Sequence, residues 1–279
     1  MDKKNRFEGK KRVKLGDSFS LTYWKMFNIP LFGRGMTEVL KMVENWIDSK
    51  TRHKWIATVN PEFVMRAIDD DKFMNLLKKT DLNVVDGVGL IWAQQMLRPN
   101  SKFLIFNLKF LKAIKIGGEI LRGKHREGLV SGADLMPELC KLAIKKDYKV
   151  FFLGGFNDRA ERAAKNLGKG LKYDFCAGEP DFSNEEVLEQ INKFKPDILF
   201  VAYGMKKQEE WISDHLGKID VGVAIGVGRS FDYYSGDLKR APDYVRKMGM
   251  EWLYSLIKEP KRLKRQLVLP KFAWKVLTR

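Results

Sequence analysis

The 279-residue sequence lacks several features that mark familiar classes of protein. No apolar run reaches the ~18 residues of a membrane-spanning helix, which argues against an integral membrane protein. The basic segment 1–14 is followed by no apolar stretch, so we do not expect a secretory signal. The two cysteines, Cys140 and Cys176, provide neither a disulfide framework nor a Cys-based zinc site, and they are typical of a reducing compartment.

Metal ligands with recognisable spacing are also scarce. The three histidines, His53, His125 and His215, are scattered among charged residues. The acidic run 69–71 lies within a helical pattern, where successive side chains point in different directions, and this favours a solvated helix face over a metal site. The sequence therefore predicts no metal site, no cofactor and no Ser-His-Asp triad.

Positive charge is abundant and unevenly distributed. The chain has 52 Lys and Arg against 35 Asp and Glu, a net charge of +17. Residues 1–14 carry +5, residues 102–127 carry +5 and residues 258–279 carry +7, so the rest of the chain is neutral. Such segments suit a nucleic-acid groove, an anionic membrane surface or simple solubilising tails.

From about Lys54 the chain alternates short apolar strands with helical patterns. Nearly continuous apolar strands between helices predict an α/β fold with a mostly parallel sheet covered on both faces. Ligands of such sheets bind beyond the carboxyl ends of the strands. The predicted strands are 54–60, 82–85, 148–153, 171–177, 196–202 and 221–225, and the predicted helices are 61–77, 88–97, 134–143, 159–167, 184–194 and 207–216.

Polar residues follow two of these predicted strands. Asp86 lies between a strand and a glycine, where its carboxylate would be available as a general base, although an Asp-Gly pair is also common in turns and helix caps. Thr58 and Asn60 end another strand and could bind sugar hydroxyls or cap the helix that starts near Pro61.

Glycines follow the last predicted strand. Gly226 and Gly228 make an incomplete dinucleotide fingerprint, because Phe231 stands where its third glycine would be. The pair is interpreted either as a turn whose backbone N–H groups approach a phosphate, or as a tight turn only.

Residues 102–127 combine basic and apolar residues at helical spacing. Lys109, Lys112 and Lys115 share one face, and the opposite side is formed by Phe103, Phe106, Phe110, Ile114 and Leu121. A helix of this kind lies in a membrane interface or packs on the protein core, and the sequence favours neither. The tail repeats the pattern with Lys261, Arg262, Lys264 and Arg265, followed by Leu267, Val268, Leu269, Phe272, Trp274, Val276 and Leu277.

Several motifs together resemble the WecG/TagA/CpsF family of bacterial glycosyltransferases. They occur in the family's order from about Ile29 to Leu267. The matching stretches are Thr58–Glu62, Val85–Gly89, Gly132–Met136, Phe152–Gly155, Ala202–Glu210, Gly226–Asp232, Arg240–Pro242, Gly249–Leu253 and Glu259–Leu263.

The resemblance implies a Rossmann-like catalytic domain over residues 28–254, a basic N-terminal extension over 1–27 and a membrane-proximal C-terminal appendage over 255–279. It implies an inverting, metal-independent transfer from a UDP-sugar, of the N-acetylmannosamine type, to a polyprenyl-diphosphate-linked sugar. We expect a peripheral protein on the anionic cytoplasmic face of the membrane that serves cell-surface polysaccharide or teichoic acid synthesis.

The chain departs from the family pattern at two places. Ser255 and Gln266 stand where arginines are common in the family, which shifts the expected phosphate contacts to neighbouring cations of the tail. Residues 100–127 look like an insertion, since family members usually pass quickly from the preceding helix to the Gly-x-Asp-Leu motif.

The resulting hypothesis assigns roles to twelve residues. Asp86 is the general base, and Gly226 and Gly228 allow close backbone approach. The other substrate-binding candidates are Thr58, Asn60, Gly204, Gln208, Phe231 and Asp232, and the diphosphate candidates are Arg240, Arg262 and Arg265.

Two alternatives of other classes stay open from the sequence. One is a nucleotide-dependent oxidoreductase on the same fold, and the other is a basic nucleic-acid-binding protein. We expect no nucleic-acid partner, because the charged segments are rich in apolar residues. The exact sugars, the pathway and the oligomeric state, including a homo-oligomer, are not determined by the sequence.

Overall fold

The computed structural model describes residues 23–98, 106–179 and 185–279, and within them eight strands form one sheet. The strands are β1 (Tyr23–Met26), β2 (Ile29–Phe32), β3 (Lys54–Val59), β4 (Leu82–Val85), β5 (Lys149–Gly154), β6 (Lys172–Cys176), β7 (Ile198–Ala202) and β8 (Val223–Gly226). Their spatial order is β1-β2-β4-β3-β8-β7-β5-β6. The β1–β2 pair is antiparallel and every other pair is parallel, as the sequence predicts for most of the sheet.

Helices cover both faces of this sheet. The first seven are α1 (Met36–Asp48), α2 (Pro61–Asp69), α3 (Asp71–Lys79), α4 (Val88–Met96), α5 (Phe106–Leu121), α6 (Gly132–Lys146) and α7 (Arg159–Leu167). The others are α8 (Glu185–Phe194), α9 (Lys207–His215), α10 (Ser230–Tyr234), α11 (Asp243–Lys247), α12 (Glu251–Lys258), α13 (Leu263–Gln266) and α14 (Val268–Leu277), with a 3₁₀ turn at Pro260–Arg262. The predicted α/β class with a Rossmann-like, mostly parallel sheet is confirmed.

The central strands are buried on both faces, which explains their continuous apolar sequence. All four residues of β4 and of β8 are buried, and β5 is buried from Val150 to Gly154. The helices on each face contribute one apolar stripe, such as Ala160, Ala163 and Ala164 of α7, which are fully buried. Small side chains on α7 let the helix lie close to the sheet.

Strand order changes direction between β5 and β7. The chain moves outward from β5 to β6 and then returns across β5 to form β7, so connections leave this pair toward opposite faces. Crevices at such points are the usual ligand sites of open α/β sheets. The loops after β5, β7 and β8 therefore surround the expected site.

Two local predictions are wrong, and both involve helix caps. The predicted helix 61–77 is broken at Asp70, whose carboxylate accepts from the backbone N–H of Phe73 at 3.1 Å and caps α3. Asp70 also pairs with Lys206 at 2.9 Å, so it is not part of a solvated helix face. Helix α6 begins at Gly132 and not at the predicted residue 134, because Ser131 caps it, and Asp134 accepts a 2.6 Å hydrogen bond from the Ser131 hydroxyl.

Both chain ends of the described structure join the main body. Strand β1 lies in the segment predicted as an extension, and its pairing with β2 places the predicted boundary at residue 27 inside a hairpin. Helix α14, in the predicted appendage, packs against α2 and α4. Its Phe272 and Val276 are buried in the same apolar cluster as Phe63 and Leu90. The predicted domain boundaries stay predictions.

Helix α5, in the predicted insertion, packs on the core through the side that contains Ala113, Ile116 and Ile120. Ile116 and Ile120 are buried, and the indole N–H of Trp92 donates to the carbonyl of Ala113 at 3.1 Å. Phe110 and Ile114 face outward with Leu111 and Leu121, so these four side chains do not pack on the core. Phe103 lies outside the described residues.

Candidate active site

Asp86 lies at the carboxyl edge of the sheet, directly after β4. Its backbone N–H donates to the carbonyl of Val59 at 2.7 Å, which fixes the turn to the neighbouring strand β3. Gly87 follows with φ of 96°, a conformation that side chains disfavour. Asp86 keeps some exposed surface, as a base that must reach a substrate requires.

The surroundings of Asp86 raise its pKa to about 7. Burial is the largest cause, and the nearby carboxylates of Glu251 and Asp134 add to it. A hydrogen bond from the backbone of Gly132 and the charge of Arg240 act in the opposite direction. A carboxylate with a pKa near neutrality can both hold and release a proton at physiological pH.

Thr58 and Asn60 both make structural hydrogen bonds at the end of β3. The buried Thr58 hydroxyl donates to the carbonyl of Gly226 at 3.0 Å and so ties β3 to the end of β8. Asn60 caps α2, its side-chain oxygen accepting from the backbone N–H groups of Glu62 and Phe63. The capping alternative is thus observed for Asn60, and a sugar-binding role for either residue stays a prediction.

The turn formed by Gly226–Gly228 is held by Gln208 and Glu209. The backbone N–H of Gly228 donates to the Gln208 side-chain oxygen at 2.9 Å, and the Gln208 amide nitrogen donates to Glu209 at 2.7 Å. A Cβ at Gly226 would lie 2.5 Å from that nitrogen, so a side chain there would displace the Gln208 amide from the turn. The Gly228 N–H is therefore engaged within the protein, and the structure gives Gln208 a supporting position beneath the turn.

Glu209 is the second acidic residue with a strongly raised pKa. It is fully buried, and burial raises its pKa to about 7. It accepts from Gln208 and, at 2.8 Å, from the backbone N–H of Lys206, whose φ is 74°. The sequence analysis did not single out Glu209, because an acid inside a Lys-Lys-Gln-Glu-Glu run resembles a solvated helix start.

A cavity of about 140 Å³ lies at the sheet's switch point, over the ends of β5, β7 and β8. We refer to it as the switch-point cavity. Four of the predicted residues line it, namely Gly204, Gly228, Phe231 and Asp232. Its other lining residues are Gly155, Phe156, Gly178, Glu179, Ala202, Tyr203 and Arg229.

Arg229 is a cavity residue that sequence reasoning missed. Its guanidinium pairs with Glu259 at 2.9 Å and lies 3.8 Å from Asp232. The Glu259 pair joins the cavity to the C-terminal segment. Its position directly after the glycine turn could have identified it, since residues that follow a strand lie at the ligand edge of the sheet.

The arginines predicted to bind the diphosphate differ in the partners that they contact. Arg240 is enclosed by carboxylates, with hydrogen bonds to Asp134 at 2.6 Å and Glu251 at 3.0 Å. Arg265 pairs with Glu62 at 2.8 Å, which ties the tail to the start of α2. Arg262 lies in the 3₁₀ turn, and its side chain is outside the described part of the structure. Their diphosphate role stays a prediction.

Two negative findings concern the described residues only. They contain no group of three or more His, Cys, Asp or Glu side chains placed to hold a metal ion. Across the same ranges, no helix is both long enough and apolar enough to cross a membrane. The expected absence of a metal requirement is a matter for experiment.

Comparison with known proteins gives one consistent result. The sequence model of the Glycosyl transferase WecG/TagA/CpsF family matches residues 24–114 and 112–279. An N-acetylglucosaminyldiphosphoundecaprenol N-acetyl-beta-D-mannosaminyltransferase of Staphylococcus aureus (strain MW2) is 32% identical over 247 residues, covering 86% of this chain and 87% of the relative. Proteins of the same description from strains NCTC 8325 / PS 47 and COL match with the same identity and coverage.

Proposed function

The chain belongs to the WecG/TagA/CpsF family of glycosyltransferases, and from this premise we propose that it moves an N-acetylmannosamine-type sugar from a UDP-sugar to a polyprenyl-diphosphate-linked N-acetylglucosamine. The acceptor and the sugar follow the description of the relatives. The reaction inverts the anomeric carbon and contributes to a cell-surface polymer. Family membership supports neither the oxidoreductase nor the nucleic-acid-binding alternative.

The position of Asp86 is the observation that carries the proposed chemistry. Its carboxyl combines partial exposure, a fixed backbone and a pKa of about 7. The ionised form accepts a proton from the acceptor hydroxyl as that oxygen attacks the anomeric carbon of the donor. The bond from this carbon to the diphosphate oxygen breaks, and its electron pair leaves with UDP.

The switch-point cavity is the proposed site of the UDP moiety. Strands β4 and β8 are separated by β3 alone, so Asp86 and the glycine turn lie two strand spacings apart, roughly 10 Å. A donor seated over β8, β7 and β5 would therefore extend its sugar toward Asp86. Arg229 is the cation of the cavity wall, where the charge of the leaving diphosphate develops, and it would exchange its pairing with Glu259 for that contact.

An exposed apolar surface supports peripheral binding to an anionic membrane, on the cytoplasmic side where UDP-sugars are made. Leu111 and Ile114 of α5 are 62% and 60% exposed, and Trp274 of α14 is 61% exposed. Helix α14 packs beside α5, so these exposed side chains belong to neighbouring helices. Large exposed apolar patches mark interaction sites, and the surrounding Lys and Arg residues favour anionic lipids.

A donor and acceptor screen tests the proposed reaction. UDP release is measured for UDP-N-acetylmannosamine, UDP-N-acetylglucosamine and UDP-glucose with a polyprenyl-diphosphate N-acetylglucosamine analogue. We expect turnover with the mannosamine donor that depends on the acceptor. Equal UDP release without acceptor, or turnover only with another donor, contradicts the proposed reaction.

Vesicle co-sedimentation tests the proposed membrane surface. Deleting residues 258–279 would remove the buried Phe272 and Val276 and disturb the core, so point variants are preferable. Leu111→Ser with Ile114→Ser, and separately Trp274→Ser, should lower binding to anionic vesicles about tenfold, because apolar insertion is lost. Ile144→Ser, an exposed apolar residue on α6, is the matched control. Parent-like binding by both surface variants removes the membrane proposal.

A further inference from the structure

A second groove lies between the end of α5 and α11, away from the switch-point cavity. Its volume is about 530 Å³. We refer to it as the α5–α11 groove. Its lining combines cations with apolar side chains and consists of Leu121, Arg122, Gly123, Arg126, Tyr244, Lys247 and Met248.

The cations of this groove lack close carboxylate partners. In the described ranges, Arg122 and Arg126 form no ion pair within 4 Å, and Lys247 reaches Asp243 only at 3.9 Å. Arg126 donates instead to the carbonyls of Arg246 at 3.0 Å and Ile120 at 2.9 Å. Its buried Nε has no hydrogen-bond partner among the described atoms. The exposed charges of Arg122 and Lys247, beside the anchored Arg126 and with so little negative charge nearby, suit the binding of an anion.

The apolar part of the groove continues along α5. Leu121 is 47% exposed and lies on the same helix face as Ile114 and Phe110, which are also exposed. Between them, a Cβ at Gly117 or Gly118 would meet no atom within 4 Å. The face is therefore a shallow track about 17 Å long from Phe110 to Leu121, with apolar side chains at both ends and bare backbone in the middle.

The groove also adjoins the turn that carries Asp86. Gly249 follows the groove residue Met248, and a Cβ on Gly249 would lie 2.7 Å from the Arg126 guanidinium and 2.8 Å from Val88. Val88 is two residues from Asp86. An anion on Arg126 and Lys247 is thus one packed layer from the proposed base, while an attached chain can extend away along α5.

We infer that the α5–α11 groove binds the prenyl-diphosphate part of the acceptor, with the diphosphate on Arg122, Arg126 and Lys247 and the first isoprene units on Leu121, Tyr244 and the exposed face of α5. This inference rests on the proposed function, since that function supplies a lipid diphosphate as substrate. It assigns the diphosphate to cations other than Arg240, whose guanidinium is already surrounded by Asp134 and Glu251.

Direct binding of two soluble probes, farnesyl diphosphate and inorganic diphosphate, tests the inference by titration calorimetry on the full chain. The parent should bind farnesyl diphosphate at least tenfold more tightly than inorganic diphosphate. Arg122→Gln with Lys247→Gln should weaken both probes about tenfold or more, because charge-assisted contacts are lost. Leu121→Ser should weaken farnesyl diphosphate alone. All three side chains are at the surface, so folding is not at risk.

Two matched controls accompany these variants. Lys124→Gln with Lys145→Gln removes the same charge from exposed positions outside the groove. Leu108→Ser removes an apolar side chain that is 48% exposed on the other side of α5. Both should bind the probes as the parent does. Groove variants that match their controls overturn the inference, as does a parent that binds neither probe.

Acceptor kinetics separate this inference from the proposed function. If the parent transfers sugar and the groove variants keep its KM for a short-chain lipid-diphosphate acceptor, the groove assignment fails while the function stands. If the parent transfers nothing to that acceptor but the groove variants lose farnesyl diphosphate, the function fails while the groove stands as a prenyl-diphosphate site. A raised acceptor KM with an unchanged donor KM supports both.

Discussion

Two regions of the sheet edge each contain an acidic residue whose pKa is raised to about 7. At the end of β4 it is Asp86, and at the start of α9 it is Glu209. Burial is the main cause in both, so the two carboxyls have nearly the same electrostatic description. They differ in what surrounds them and in what can reach them.

Glu209 has no exposed surface and is bonded to the Gln208 amide and the Lys206 backbone. Asp86 has exposed surface and accepts a hydrogen bond from the backbone of Gly132. The carboxylates of Glu251 and Asp134 and the guanidinium of Arg240 lie near it. A perturbed pKa thus identifies two candidates, and access to a substrate separates the base from the support. Glu209 holds the glycine turn, and Asp86 is placed to react.

Replacing each acid by its amide is the strongest test of this distinction. Asp86→Asn should lower turnover about 10²–10⁴-fold, because general-base catalysis is lost, while UDP binding is retained. Glu209→Gln should lower turnover about tenfold or less, since it affects only the position of the glycine turn. UDP-release kinetics and UDP titration on both variants measure these effects.

Circular dichroism of both variants is the control for folding. Near-normal turnover by folded Asp86→Asn would remove Asp86 as the base. A larger loss for Glu209→Gln than for Asp86→Asn would reverse the assignment of the two residues.

The pH dependence of kcat/KM provides a second test. The base must be ionised, so the rate of the parent should fall about tenfold per pH unit below the Asp86 pKa of about 7 and level off above it. Glu209→Gln should keep this profile, whereas Asp86→Asn should flatten it. If the profile flattens in Glu209→Gln but not in Asp86→Asn, the group that titrates is Glu209 and Asp86 is not the base.

The pH dependence of the free energy of unfolding tests whether Glu209 titrates near neutral pH. Its folded pKa lies above its ordinary value, so the stability it contributes is present at pH 4 and is lost as pH rises to about 7. Glu209→Gln should reduce the loss of unfolding free energy between pH 4.5 and pH 8 by about 1–3 kcal/mol. Urea unfolding at the two pH values measures this. An unchanged difference in Glu209→Gln shows that Glu209 titrates normally.

Chelation should have the smallest effect. Treatment with EDTA should leave turnover unchanged, because Asp86 is proposed to act as a base and not as a metal ligand beside Asp134 and Glu251. If EDTA abolishes turnover and Mg²⁺ or Mn²⁺ restores it, a loss of activity in Asp86→Asn would reflect metal binding, and the comparison with Glu209 would lose its meaning.

The strands and the position of Asp86 could be predicted because they depend on local patterns. Strand β4 and helix α7 have the predicted bounds, since apolar runs and helical spacing are properties of neighbouring residues. The break at Asp70 has a local signal, since Asp70 caps α3 through the N–H of Phe73, but its pairing with Lys206, far along the chain, is not contained in the local pattern. The β1–β2 hairpin was missed because its inner strand, β2, is stabilised by pairing with β4, about 50 residues later.

The environment of the site depends on contacts that single-sequence reasoning does not contain. Gln208 looks like an exposed polar residue until Gly228, 20 positions later, donates to it. Arg240 looks like a free cation until Asp134, more than 100 positions earlier, pairs with it. Residue type and position after a strand were enough to predict which residues lie at the edge of the sheet. Long-range pairing determines which of their side chains are available to a substrate.

The burial of Phe272 and Val276 among residues of α2 and α4 has a consequence for synthesis on the ribosome. Helices α2 and α4 emerge early, since they begin at Pro61 and Val88. Their apolar faces stay without this covering helix until more than 170 further residues have been translated. At ~5–20 residues per second, that interval is on the order of ten seconds to half a minute. During that time nascent chains are exposed to chaperones and proteases, so premature termination before Phe272 should yield short-lived fragments.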